Sequence, residues 1–133
     1  AEEYIEQFEM KSRIQVISGD VDSYQGPECD IVLVAHALYQ YQDTLPGALF
    51  KIARMVSQGG LLLSNHWFSH PPVGTGMQGL YELELALHNR YHQLPDIHEF
   101  EKLCNDCDLN MLQSGVIRSR YGESSIHMAQ KRS

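Results

Sequence analysis

The stretch Asp30-Ile31-Val32-Leu33-Val34-Ala35 constrains the fold more than any other part of the chain. Its apolar residues follow one another without alternation, so a strand built from them is apolar on both faces. Such a strand needs cover on both sides, which is the position of a central parallel strand between two layers of helices. A sheet with one wet face would instead alternate apolar and polar residues.

The flanking segments agree with that reading. Ile14-Gln15-Val16-Ile17 alternates and is rich in β-branched residues before Gly19-Asp20, which predicts a strand ending in a turn at Asp20. After Pro46, the residues Leu49, Ile52, Ala53 and Val56 share one helical face, and Ser57-Gln58-Gly59-Gly60 lets the helix stop and the chain reverse. Leu61 to Ser64 reads as another short buried strand. Residues 66–76 are rich in Pro, Gly, Ser and His and fit no period, as in a loop. Leu80, Leu83, Leu87 and Tyr91 mark a helical stripe, and Pro95-Asp96 opens a further helix over Ile97 to Asp106 with Phe100 and Leu103 facing inward. Gly115 to Arg120 and Ser125 to Gln130, joined by Tyr121-Gly122-Glu123, predict an antiparallel hairpin. At the start, Tyr4, Ile5, Phe8 and Met10 lie at near-helical spacing, so Glu2 to Met10 reads as a short amphipathic helix. The pattern is that of one α/β domain over residues 1–133, a partial Rossmann-like sheet with helices on both faces and a C-terminal antiparallel hairpin.

Charge and composition exclude several classes. A net charge of −7 repels phosphate backbones and anionic lipid, so neither nucleic acid nor a membrane surface is an expected partner. The longest apolar run is far short of the roughly 20 residues that cross a bilayer, and Ala1-Glu2-Glu3 lacks the basic start of a signal peptide. Three cysteines, an odd number, then read as reduced thiols of a cytoplasmic protein. Cys104-Asn105-Asp106-Cys107 has CxxC spacing but no second pair, which favours buried packing over metal or redox chemistry.

Taken in order, the strand ending at Gly19-Asp20, the apolar strand opened by Asp30, Leu38-Tyr39, and the helix ending Gln58-Gly59-Gly60-Leu61-Leu62-Leu63 are more specific. This order resembles the second half of the class I S-adenosyl-L-methionine-dependent methyltransferases, most closely the small-molecule O-methyltransferase family, from Tyr4 to Lys131. The resemblance implies transfer of a methyl group to a hydroxyl of a small acceptor, aromatic or polyketide-like. The alternative is a non-catalytic methyltransferase-like binding or dimerisation module. A nucleotide-dependent oxidoreductase would need a glycine fingerprint that the chain lacks.

The resemblance also assigns residues. Asp20 and Val21 stand where an acid and its neighbour hold the adenine of the cofactor. A carboxylate there accepts from the exocyclic amino group while a β-branched side chain packs on the ring. Asp20 equally serves to end a strand in a turn. Asp30 resembles the acid that opens the fourth strand, with His36 and Ala37 just beyond the strand's end, where His36 either borders the sulfonium or is packed. Tyr39 falls where many members carry a catalytic histidine, and a segment that would read His-Asp-Trp reads Tyr39-Gln40-Tyr41. A phenol with a pKa near 10 is a poor base at neutral pH, so transfer would rest on positioning of the acceptor. His66 is the substitute base, or else a histidine exposed in a loop. Trp67, Phe68, Met77 and Tyr81 line the acceptor pocket or pack in the core. Glu84, His88 and His92 share a helix face, but without a companion acid cluster no metal site is expected.

In the family, a first strand with a glycine-rich turn and an acid that grips the ribose lie upstream of everything seen in these residues. Gly74-Thr75-Gly76 is no replacement, since it follows prolines in a loop. The chain is therefore expected to be a truncated domain that binds S-adenosyl-L-methionine weakly or not at all and is inactive alone. In the family's strand order, 3-2-1-4-5-7-6, two missing strands would separate Ile14–Ile17 from Ile31–Ala35 and leave an open edge. Three solutions would cover it: direct pairing of those two strands, self-association, or a separate chain carrying the missing half. Asp20, Asp30 and the Gly59-Gly60 turn are expected on one rim of the sheet.

Overall fold

The helix after Pro46 forms as its spacing requires. In the computed structural model, which describes residues 5, 13–35, 37–38, 44–66, 97–119 and 122–133, helix α1 runs over Leu45–Met55. Pro46 sits in the first turn, where a missing N–H costs nothing. Leu45, Ala48, Leu49, Ile52 and Ala53 are buried along one side. Val56, predicted to be the last inward residue of the helix, instead opens strand β2, Val56–His66.

Strand β1, Cys29–Ala35, runs parallel to β2, but the pairing has a break. Cys29 pairs with Val56, and the ladder resumes at Ile31 with Leu61. The predicted glycine turn fills that interval, inside β2 and not ahead of it. Gly59 has φ of 75°, a conformation glycine adopts without a Cβ penalty, and its carbonyl accepts from Gln130 Nε2 at 2.9 Å.

Helix α2, Ile97–Asp106, has the predicted bounds, with Phe100 buried and Leu103 partly buried against the core. Strands β3, Leu109–Ser119, and β4, Gly122–Lys131, form a longer hairpin than predicted. The pairs Ser119 with Gly122 and Arg118 with Glu123 place Gly122 and Glu123 in the ladder, not in the link. The sheet order is β1-β2-β4-β3, with β1 and β2 parallel and the other pairs antiparallel. That is the 4-5-7-6 part of the order implied by the resemblance.

Both described helices serve one face of this sheet. A single apolar core joins Leu45, Leu49, Ile52 and Ala53 of α1, Phe100 and Cys104 of α2, and Leu62, Leu109 and Ala129 of the strands. Cys104 and Cys107 are buried free thiols and Cys29 is half-buried, as the packing reading requires. No metal-binding group of His, Cys, Asp or Glu occurs among the described residues, and none of their helices is long and apolar enough to cross a membrane. The predicted helix Glu2–Met10, apart from helical Ile5, and the stripe Leu80 to Tyr91 lie outside the described residues.

Two expectations are corrected. Ile14–Ile17 belongs to no strand, with Ile14, Val16 and Ile17 all exposed. Alternation and β-branching favour a strand only when a neighbour supplies hydrogen bonds. Direct pairing of this segment with β1 does not occur. Strand β1 is also not central among the described residues, since it pairs with β2 alone. Val32 and Val34 pack on the core, whereas Ile31 and Leu33 are 60% and 70% exposed.

Candidate cofactor site

Beyond Ile17 the chain forms a short 3-10 turn, Val21–Ser23, capped by Asp20. One carboxylate oxygen of Asp20, Oδ1, accepts from the Asp22 amide at 3.1 Å, and its carbonyl accepts from the Ser23 amide at 3.0 Å and the Ser23 hydroxyl at 2.8 Å. Asp22 is paired with Lys51 of α1, which ties the turn to that helix. Asp20 therefore caps this turn.

The turn helps to line a cleft of about 780 Å³. Gln15, Ile17, Ser18 and Gly19 line it together with Val32 to Ala35 of β1, Ala37 and Leu38. Ile52 and Met55 of α1 also line it, as does Tyr24, whose hydroxyl donates to the Pro27 carbonyl at 3.0 Å. Asp20, Val21 and Ala37, three residues singled out in the sequence, thus share one cavity. Val21 is half-buried and packs on the core.

Asp30 and the Gly59-Gly60 pair do not share that cavity. A strand has two ends, and Asp30 lies at the amino end of β1, where its Oδ1 accepts from the Ser57 hydroxyl at 3.0 Å. Gly60 packs there as well, with the Asp30 carbonyl only 2.9 Å from where its Cβ would be. The expectation of one common rim is corrected, and these residues secure the β1–β2 junction. His66 ends β2 opposite Ser125, but its side chain lies outside the described residues. So do His36, Tyr39, Trp67, Phe68, Met77, Tyr81, Glu84, His88 and His92.

The cleft can be tested against the expected cofactor. Its described lining is largely apolar, carries one carboxylate, and contains no Lys or Arg. A purine with an exocyclic amino donor fits that chemistry, whereas a pyrophosphate would lack a cationic or helix N-terminal partner. The residues present therefore suit the adenine end of S-adenosyl-L-methionine.

Sequence reasoning missed Tyr24, Ile52 and Met55 as cleft residues. The stripe of α1 already carried Ile52, while Tyr24 sits in a loop without a period. It also missed His127, which lies opposite Ser64 on the buried face of β4, with its ring centroid 5.0 Å from that of Phe100. Burial pushes the His127 pKa below the ordinary histidine value, partly opposed by the Glu101 carboxylate. Burial also pushes the Cys104 thiol up to about 12, so it stays protonated.

No family model and no curated protein matches the chain. Solved structures do match. An O-methyltransferase family protein from Burkholderia thailandensis is 16% identical with a TM-score of 0.70, over 99% of this chain and 40% of its own. N-methyltransferase NodS from Bradyrhizobium japonicum, in complex with S-adenosyl-L-homocysteine, is 14% identical with a TM-score of 0.65, over 96% and 59%. The [4+2]-cyclase SpnF is 11% identical with a TM-score of 0.72, over 98% and 60%. The chain thus has the Rossmann-like α/β fold of class I methyltransferases and spans 40% to 60% of the length of these three neighbours.

Proposed function

We propose that the chain is the C-terminal part of an S-adenosyl-L-methionine-dependent methyltransferase domain acting on a hydroxyl of a small-molecule acceptor. The observation that carries this reading is the cleft that Asp20, Val21 and Ala37 line together. Fold alone is insufficient support, because one fold hosts several chemistries, as the cyclase illustrates. Bound there, the cofactor would supply an electrophilic methyl group on a sulfonium. Asp20 would accept from the adenine amino group while Val21 and the β1 wall pack on the ring. His36 would border the sulfonium, Tyr39 or His66 would face the reacting hydroxyl, and Trp67, Phe68, Met77 and Tyr81 would surround the acceptor. A cytoplasmic location accords with the free thiols.

The chain alone is expected to bind the cofactor weakly, so the test needs a method that sees millimolar ligands. Saturation-transfer NMR with S-adenosyl-L-homocysteine should show transfer to the adenine protons, reduced in Asp20→Ala. No transfer, or transfer indifferent to that substitution, refutes the assignment of this cleft.

The reading of Tyr39-Gln40-Tyr41 in place of His-Asp-Trp favours a second possibility, a non-catalytic module. Methyl transfer from labelled cofactor to a panel of phenols, assayed on a complete methyltransferase domain that contains this chain, separates the two. A module transfers nothing there, with Tyr39 or with Tyr39→His.

A further inference from the structure

The turn Val21–Ser23 borders a second cavity, of about 310 Å³, beside the cofactor cleft. Asp20 lines only the cleft and Asp22 only this neighbour, while Val21 between them lines both. The chemistry changes across the turn. The described lining of the cleft contains no Lys or Arg, whereas the smaller cavity is lined by Lys51 and Arg54 of α1.

These two cations stand three residues apart on α1, so they are neighbours on its surface. Their surroundings differ. Lys51 is paired with Asp22, but Arg54 has no hydrogen-bonding or ionic partner among the described residues. It lies in the last turn of the helix, where the carbonyl ends favour a cation even without a carboxylate beside it. A guanidinium at a cavity with its donors unused suits a planar anion, which it holds through two parallel N–H bonds. The charges around the cavity also limit the ligand. Two positive groups and the Asp22 carboxylate leave one positive charge, so a single negative charge is matched and a second would meet Asp22.

We propose that this cavity binds a small carboxylic acid as its monoanion, with Arg54 holding the carboxylate, Lys51 adding positive charge and Asp22 turning away dianions. Gln25, on the same lining, can serve a hydroxyl of the ligand. The site does not rest on the proposed methyl transfer and stands whether or not a cofactor fills the cleft.

The probe is sodium lactate, titrated by NMR into the isotope-labelled 133-residue chain with sodium chloride adjusted to constant ionic strength, because salt screens exposed charges. The Arg54 Nε–Hε signal and the Gly26 amide should shift and saturate. The Ala37 amide should not, since Ala37 lines the cleft and not this cavity. Arg54→Gln should weaken binding about tenfold or more, the worth of a hydrogen bond between charged groups, and Arg54→Lys should not restore it, because an ammonium lacks the fork. Arg54 is exposed, so neither variant disturbs the core. Inorganic phosphate at about pH 8, where it carries close to two charges, should bind more weakly than lactate, and Asp22→Asn should narrow that gap. The proposal is overturned if lactate gives no saturable shift, if Ala37 moves as much as Gly26, or if Arg54→Gln binds as well as the parent. It is equally overturned if phosphate matches lactate in the parent or if Asp22→Asn leaves their difference unchanged.

Discussion

A methyl group added at Gly60 probes the β1–β2 junction directly. An ideal Cβ at Gly60 would lie 2.9 Å from the Asp30 carbonyl oxygen, 2.9 Å from the Ser57 carbonyl oxygen and 2.9 Å from the Ser57 hydroxyl. The hydroxyl can rotate away, but the two carbonyls are main chain. Asp30 is part of β1, and Ser57 lies in the interval where the ladder skips from the Cys29–Val56 pair to the Ile31–Leu61 pair. Relief therefore requires the strands to shift at that break. Overpacking of this kind costs about 1–3 kcal/mol, while the loss of glycine freedom in the unfolded chain returns about 0.4–1 kcal/mol. Gly60→Ala should destabilise by about 0.5–2 kcal/mol on balance. Gly47 supplies the control, because it is exposed in the first turns of α1 and a Cβ there meets nothing within 4 Å. Gly47→Ala should stabilise by about 0.5–1 kcal/mol through helix propensity. Urea unfolding reads both as shifts of the midpoint in opposite directions at constant m-value. If the two variants move together, or Gly60→Ala is neutral, the close approach at the junction is wrong.

Histidine 127 makes the fold acid-sensitive. Its folded pKa is lowered by burial, so the unfolded chain binds more protons and stability falls as pH drops below about 6.5, the unfolded value. Melting temperatures between pH 8 and pH 5 should show this decline, and His127→Gln should flatten it relative to the parent; parallel curves would refute the assignment. The thiols should react in a fixed order. Half-buried Cys29 should be modified first by an aromatic disulfide reagent, while Cys104, buried and with its pKa raised to about 12, should react only on unfolding. Fast reaction of Cys104 in the native chain would contradict its place in the core.

The features legible in the sequence were those that a short window decides. The stripe Leu49, Ile52 and Ala53, the inward Phe100, and the bounds of α2 follow from helical periodicity and end signals. The existence of β1 and the hairpin follows from strand composition. What a window cannot decide is which strand lies beside which. Ile14–Ile17 has a strand's composition and no strand's partner. Asp30 opens its strand and Asp20 follows a strand-like run, so the two flank opposite ends, and Asp30 stands away from the cleft that Asp20 lines. Asp20 and Val21 reach the cleft together because they are adjacent in sequence, so one local turn carries both. Ile52 and Met55 reach it from a helix about thirty residues on, through a contact that only the assembled core creates.

The reading of β1 as central, which the described residues do not meet, has a physical content of its own. Its side chains are those of a strand covered on both faces and paired on both edges. The described sheet supplies one covered face, through Val32 and Val34, and one paired edge, through β2. Exposed Ile31 and Leu33, and the cleft that Leu33 helps to line, are the remainder. A sequence selected for an isolated edge would carry a lysine or a proline there, at little cost to folding. Neither occurs between Ile31 and Ala35. The composition of β1 is therefore that of a strand with a neighbour on each side, and the described residues supply one of the two.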